Sequence, residues 1–312
     1  MVRLGPVLVL ALALPVGEAT RVRGATEYAG RWNVRITDAS DTFVSGGFDL
    51  KPAGDGLTAS IVWRWGGVSP AAKAEVEEGV LHLIREDQPG KADVFEARLE
   101  GDLLKGEVRY ADGKVQHFEG RRAPELASPP KGPRWGVPVP LFDGKTLAGW
   151  RLRDTKAKMG WAVVDGDLAV VEPKGNADLV SEKAFQDMKL HVEFDLEPHS
   201  NSGVYLRGRY EVQIVDDPAE ARSPLGSGAL YGRIAPRVDA TRPPGEWQTY
   251  DITLVGRKLT VVLNGKTVID GATIEGITGG ALDPFEGTPG PLMLQGDHGK
   301  VRFRNVVVTP AL

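Results

Sequence analysis

The feature that most constrains this chain is its punctuation. Short strand-type runs alternate with Gly, Asp and Pro from Gly30 to Val308, and no window carries a sustained helical stripe. With 39 Gly and 22 Pro in 312 residues, tight turns are too frequent for a helical protein, and the fold class is all-β. One break interrupts the pattern. At Arg121-Arg-Ala-Pro-Glu-Leu-Ala-Ser-Pro-Pro-Lys-Gly-Pro133 three prolines crowd together and no periodicity survives, which is the signature of a linker, here placed at 124–137. Before it, strands at Gly30–Thr37, Leu57–Trp65, Val80–Arg85, Val94–Glu100, Leu103–Tyr110 and Val115–Gly120, joined by Gly-Asp and Asp-Gly turns, predict a small up-and-down β-barrel-like domain over 24–123. Beyond it, hairpin signals at Val164-Asp-Gly-Asp-Leu168 and Leu263-Asn-Gly-Lys266 and evenly spaced strands predict a two-sheet jelly roll over 138–312.

Met1-Val-Arg3 followed by an apolar run to Val16 and by Gly17-Glu18-Ala19 reads as a signal peptide over 1–19, and hence as an exported, periplasmic or extracellular protein. That run is too short to span a bilayer as a helix, which takes about 20 residues. There is no cysteine, so disulfides, cysteine nucleophiles and thiolate metal sites are excluded, and stability must come from burial and covered sheet edges. A formal charge of −4 with no basic stripe argues against nucleic acid as a partner. Asp216-Asp217 lacks the spacing of a calcium loop and His pairs at ligand spacing are missing, so neither cofactor nor metal is expected, a lone Ca²⁺ in a sandwich loop being unsupported. No phosphate-binding glycine loop or nucleophile elbow occurs.

Strand alternation sorts the second domain's polar residues. Leu190, Val192, Phe194 and Leu196 take one face and leave His191, Glu193 and Asp195 on the other; Val204 and Leu206 oppose Tyr205 and Arg207; Val212 and Ile214 oppose Glu211 and Gln213. Glu193, Asp195, Tyr205, Arg207, Glu211 and Gln213 are thus expected on one polar face. That set serves equally for gripping and cleaving a sugar or as a solvated face laced with ion pairs. Glu193-Phe-Asp-Leu-Glu197 places three carboxylates at alternate positions, as in sandwich-fold glucanases, and so allows a classical retaining glycosidase using Glu193 and Glu197, although Pro198 signals that the strand ends there. His298, in the glycine-flanked turn Gln295-Gly-Asp-His-Gly299, is either a turn residue or a side chain aimed at a site, with Asp297 able to raise its basicity.

Leu141-Phe-Asp-Gly-Lys-Thr-Leu-Ala-Gly-Trp150, Asn201-Ser-Gly-Val-Tyr-Leu-Arg207, Tyr210-Glu-Val-Gln-Ile-Val-Asp216, Gly228-Ala-Leu-Tyr-Gly232, Pro243-Pro-Gly-Glu-Trp-Gln-Thr-Tyr250 and Leu294-Gln-Gly-Asp-His-Gly299 with Arg302-Phe-Arg-Asn305 resemble, in order, the 3-keto-disaccharide hydrolase family, formerly a domain of unknown function. The resemblance implies a concanavalin A-like lectin/glucanase sandwich. The region ahead of it is similar to a lipocalin-like accessory domain. The family commonly writes its histidine turn as Gln-Asp-His-Gly, whereas here Gly296 stands between Gln295 and Asp297, and the loop after Asp216 is short.

What this resemblance implies is a hydrolase or lyase of 3-keto-glycosides. A C3 ketone acidifies the C2 proton; a base removes it, the glycosidic oxygen leaves C1 by β-elimination, and water adds. On that basis Glu211 and His298 are the expected acid and base, in either order. Arg207, Gln213, Tyr231, Asn201, Tyr205, Asp216, Gln295 and Asp297 are the expected substrate contacts. A sugar 3-dehydrogenase acting upstream is implied by pathway alone, and a noncatalytic carbohydrate-binding module remains the alternative.

Overall fold

The computed structural model describes residues 24–54, 56–126 and 132–312; the leader read at 1–19 and residues 127–131 of the linker lie outside them. Among the described residues, apart from a four-residue helix at Ala25–Tyr28 and a 3₁₀ turn at Pro218–Glu220, the regular structure is β. None of the described helices is long and apolar enough to cross a membrane.

Residues 30–122 form a nine-stranded antiparallel sheet that curls on itself. Gly30–Ile36 pairs with Ser45–Ala53 on one side and with Val115–Arg122, the last strand of the meander, on the other. The remaining seam is drawn together by two adjacent residues: Ala71 N–H donates to Ala59 O and Ala72 N–H to Ile84 O, each at 2.8 Å. Bringing both edges to one chain segment removes the exposed ladder that would otherwise template aggregation. The interior is packed with aromatics. Phe48 stacks on Trp63 (6.0 Å between centroids), while Phe95 meets Trp63 edge-on at 4.9 Å. Ser45–Ala53, with two glycines and a proline, carries no strand signal in the sequence. The core demands those glycines: a Cβ on Gly46 would sit 2.5 Å from the Trp63 ring, so packing overrides propensity.

Residues 139–310 form two facing antiparallel sheets. The larger orders Trp161–Val164, Asp167–Val170, Val301–Pro310, Met188–Leu196, Gln248–Val255, Lys258–Leu263 and Lys266–Thr273, with Val139–Pro140 beside Val301–Pro310. The smaller orders Trp150–Leu152, Leu179–Phe185, Gly290–Leu294, Asn201–Leu206 and Tyr210–Val215. Leu190, Val192 and Phe194 from one and Val204, Leu206, Val212, Ile214, Leu292 and Leu294 from the other fill the space between them, as alternation predicts.

Alternation does not say which sheet a strand joins, and here the expectation of one polar face needs correction. Glu193 and Asp195 lie on the larger sheet, paired with Arg304 and Arg302. Tyr205, Glu211 and Gln213 lie on the smaller one, pointing away from the larger sheet. Arg207 leaves the pattern altogether. It opens the turn to Tyr210–Val215 with φ +53°, so strand parity does not reach it.

The outer face of the smaller sheet is roofed by loops of the sandwich and by the barrel. Gly280 N–H donates to Arg64 O at 2.7 Å, and a Cβ on Gly279 would lie 2.3 Å from Gly66 O and 2.7 Å from Trp65 O. Arg153 completes the joint. Its guanidinium donates to Asp178, to Gly280 O and Ala281 O, and to Thr42 O of the barrel, and it sits 4.2 Å from the Phe43 ring centroid. Because backbone faces backbone at Gly279, a methyl group there cannot be absorbed by a rotamer change. Gly279→Ala should destabilise the chain by about 1–3 kcal/mol, read as a lower midpoint in urea unfolding; an unchanged midpoint would show that the joint is not rigid.

Candidate active site

Under that roof lies a cavity of about 450 Å³, within the range usual for small-molecule sites. Its floor comes from the strand pair Asn201–Leu206 and Tyr210–Val215. Tyr205 and Glu211 are opposite each other in register, so their side chains emerge side by side. Tyr205 Oη donates to Glu211 Oε2 at 2.7 Å. Gly203, across from Gln213, makes room for this carboxyl: a Cβ there would fall 2.3 Å from Glu211 Oε1. Glu211 N–H donates to Thr278 Oγ1 at 3.0 Å, which pins the strand to the roof loop.

Burial pushes the Glu211 carboxyl up to about 8, and the charges of Asp178 and Asp297 add to the shift against the lowering effect of the Tyr205 hydrogen bond. Glu211 therefore holds its proton at neutral pH. Asp178 is itself raised by burial despite its 3.2 Å pair with Arg153, with Asp297 adding to the rise. The wall opposite is the turn after Gly290–Leu294. His298 Nδ1 is hydrogen-bonded to Asp297, and that bond raises the imidazole above its ordinary value against partial desolvation. His298 is half exposed, at the mouth rather than the floor. Gly296 in this turn is packed so tightly on Trp161 that a Cβ would lie 2.6 Å from the indole, and it is tethered by Asn176 Nδ2 to its carbonyl and by its own N–H to Asp178.

Gln213, Tyr231, Asn201 and Gln295 complete the polar lining. The Gln213 side-chain oxygen accepts from Ile214 N–H, which leaves its NH₂ group for a ligand. Tyr231, raised by burial and by the charge of Glu211, is a hydroxyl donor at neutral pH. Gln295 Oε1 is sealed from solvent with no protein partner, an orphan acceptor on the cavity wall. Of the residues anticipated from sequence, the cavity thus gathers Glu211, His298, Gln213, Tyr231, Asn201, Tyr205, Gln295 and Asp297.

Two lie elsewhere. Arg207 is fully buried, its Nε donating to Gln186 O and its Nη2 to Asp187, so it braces the hairpin instead of facing the cavity. Asp216 accepts from His199 N–H in a neighbouring loop, while Asp217 caps the 3₁₀ turn through Ala219 N–H. The glucanase-like triplet is also dispersed. Arg304 and Asn305 hold Glu193 below its ordinary range against partial burial, and Glu197 lies past the strand end beside Lys300. Sequence reasoning missed Asp178, Gly280 and the barrel residues Phe43, Trp65 and Gly66 as lining groups. Asp178 sits just before Leu179–Phe185, whose strand signal is weak, and nothing in the barrel sequence indicates contact with the sandwich. Among the described residues no three His, Asp or Glu side chains are grouped to hold a metal ion.

A larger depression, about 770 Å³, opens at the barrel mouth beside Trp65, yet two of the three carboxyls raised by burial among the described residues, Glu211 and Asp178, converge in the smaller cavity, the third, Asp167, lying elsewhere. Comparison with known proteins bears on that site. One crystal structure of a glycosyl hydrolase candidate from Parabacteroides distasonis is 29% identical, covering 56% of this chain and 84% of its own with a TM-score of 0.48. Another from the same organism is 25% identical over 56% of this chain and all of its own, with a TM-score of 0.44. A carbohydrate-binding module, CBM66 from Bacillus subtilis, aligns at 12% identity over 52% of this chain and 95% of its own, with a TM-score of 0.37. No curated protein sequence matches the chain significantly. Residues 137–309, more than half of the chain and the whole of the sandwich half of the cavity, match the 3-keto-alpha-glucoside-1,2-lyase-like domain, and the chain belongs to that 3-keto-disaccharide hydrolase family of glycosyl hydrolase-like proteins.

Proposed function

We propose that this protein cleaves 3-keto-glycosides, with His298 as the base that takes the C2 proton and Glu211 as the acid that protonates the departing glycosidic oxygen. The observation that carries the reading is the Glu211 carboxyl, raised to about 8 at the floor of a cavity that also receives the Asp297–His298 pair. A protonated carboxyl at neutral pH is a proton donor for a leaving group, and an imidazole made more basic by Asp297 is a proton acceptor. The C2–H electron pair moves into the C2–C3 bond and the ketone oxygen becomes an enolate. The Gln213 NH₂ and Tyr231 hydroxyl supply donors for that oxygen. Re-formation of the ketone expels the C1 oxygen, which takes the Glu211 proton. Water adds across the resulting C1–C2 double bond to complete hydrolysis. The basic start, apolar run and small-residue site of Met1–Ala19 support export as part of this reading.

The two roles separate by experiment. In deuterated water, Glu211→Gln should still exchange the C2 proton of a 3-keto-glycoside while cleavage falls by about 10²–10⁴; His298→Ala should lose exchange and cleavage together. Mass spectrometry of recovered substrate reads exchange, and undiminished cleavage in both variants would remove the assignment. The pH dependence follows from the same groups. Activity requires His298 neutral and Glu211 protonated, so kcat/KM should climb as the imidazole deprotonates above its ordinary value of 6.5 and decline as the carboxyl ionises near 8. A profile still rising past pH 9 contradicts Glu211 as the acid.

A further inference from the structure

We infer that the N-terminal barrel builds the part of the site that receives the leaving group, with Trp65 as its platform. The inference rests on the reading above. The sandwich side of the cavity is polar almost throughout, whereas its apolar wall, Phe43 and Trp65, comes from the barrel. Trp65 is the most exposed tryptophan among the described residues, at 59%, although burial would be the ordinary fate of so large an apolar side chain.

That exposure is not looseness. The backbone at Trp65 is clamped from the sandwich side, through Gly280 N–H on Arg64 O and the close approach of Gly279. The indole is set by the barrel: Phe43 meets it edge-on at 5.5 Å and 88°, and the Arg64 guanidinium lies 4.4 Å from its centroid. Arg64 is in turn fixed by Gln116 Oε1 at 2.9 Å and by Asp41. A rigid, solvent-facing indole at the mouth of a polar cavity is an apolar surface waiting for a flat partner. β-Elimination divides its substrate into an oxidised ring, which needs donors and a base, and a leaving group, which needs one proton from Glu211 at the glycosidic oxygen and no polar contact beyond it. The polar floor at Glu211 suits the first and the Trp65 wall the second. The leaving group that fits is therefore one with a flat apolar face, either the C–H face of a sugar ring or an aromatic aglycone. Trp65 and Gly66 also border the depression of about 770 Å³ at the barrel mouth, so a leaving group longer than one ring has an onward path across the indole.

The test uses the full chain, Trp65→Ala and Trp65→Phe, and three 3-keto-glucosides whose leaving groups are methanol, a phenol and a second glucose. For Trp65→Ala, kcat/KM should fall about tenfold further for the ring-bearing leaving groups than for methanol, mostly through KM, with Trp65→Phe between. A loss confined to the phenol identifies an aromatic aglycone, and one confined to glucose a sugar. An equal loss on all three substrates, or none, overturns the inference. Should the unaltered protein cleave none of them, the proposed reaction fails and calorimetric binding of the unoxidised disaccharide decides the platform alone: about tenfold weaker binding to Trp65→Ala upholds it, and equal or undetectable binding to both proteins overturns it. Thermal melting of both variants confirms that the fold is kept.

Discussion

The site depends on one buried cation. Arg153, at the end of the short strand Trp150–Leu152, reaches Asp178 beneath the cavity, the carbonyls of Gly280 and Ala281 in the roof, and Thr42 and Phe43 in the barrel. A guanidinium presents five donors in a fixed fork, which is why a single arginine can tie three segments that share no strand pairing. A buried ion pair adds little net stability over an apolar replacement of the same shape, but losing one partner strands the other charge at a cost of about 3–5 kcal/mol. Here the stranded charge would be Asp178, whose field acts on both Glu211 and His298. Holding the barrel on the sandwich and setting the proton affinity of the site are thus one interaction seen from two sides.

Covering the outer face of the smaller sheet is what turns an ordinary strand face into chemistry. Glu193 and Glu211 both occupy polar positions on strands of the same sandwich, yet their environments push them in opposite directions. Glu193, only partly buried and held by Arg304 and Asn305, stays below its ordinary range; Glu211, closed over by loops and given only a tyrosine hydroxyl, rises to about 8. Among the described residues no cation pairs with Glu211: Arg153 is taken up by Asp178 and Arg207 by Asp187. Desolvation without compensation is the condition for a carboxylic acid that survives at neutral pH.

Glycine does the fitting where side chains cannot. Gly203 leaves space for the Glu211 carboxyl, Gly280 for the Tyr205 hydroxyl, Gly296 for Trp161 behind the histidine turn, and Gly279 for the barrel backbone. Each is a close approach of another group, and together they hold the Tyr205–Glu211 pair and the Asp297–His298 turn against one cavity. Gly280 has a second reason, a φ of +72° that side chains rarely adopt.

The sequence by itself determined the all-β class, most strand positions from Gly30 onward, the apolar core between the two sheets and the ordered motifs that identify the family. These are local or periodic properties: alternation at period two and Gly or Asp turns are written along the chain. It also singled out Glu211 and His298, but through the family motifs: alternation alone leaves Glu211 among six polar candidates, and the glycine-flanked turn leaves the role of His298 open. It did not decide that Glu193 and Glu211 belong to different sheets, that Arg207 turns inward to Asp187, or that Asp178 lies under the cavity, because strand partners and turn geometry are set by contacts distant in sequence. Least legible was the part played by the barrel. Trp65 and Glu211 stand 146 positions apart with a proline-rich segment between them, and only the tertiary structure, through Arg153 and the Gly279 contact, brings an indole from one fold to the mouth of a cavity in the other.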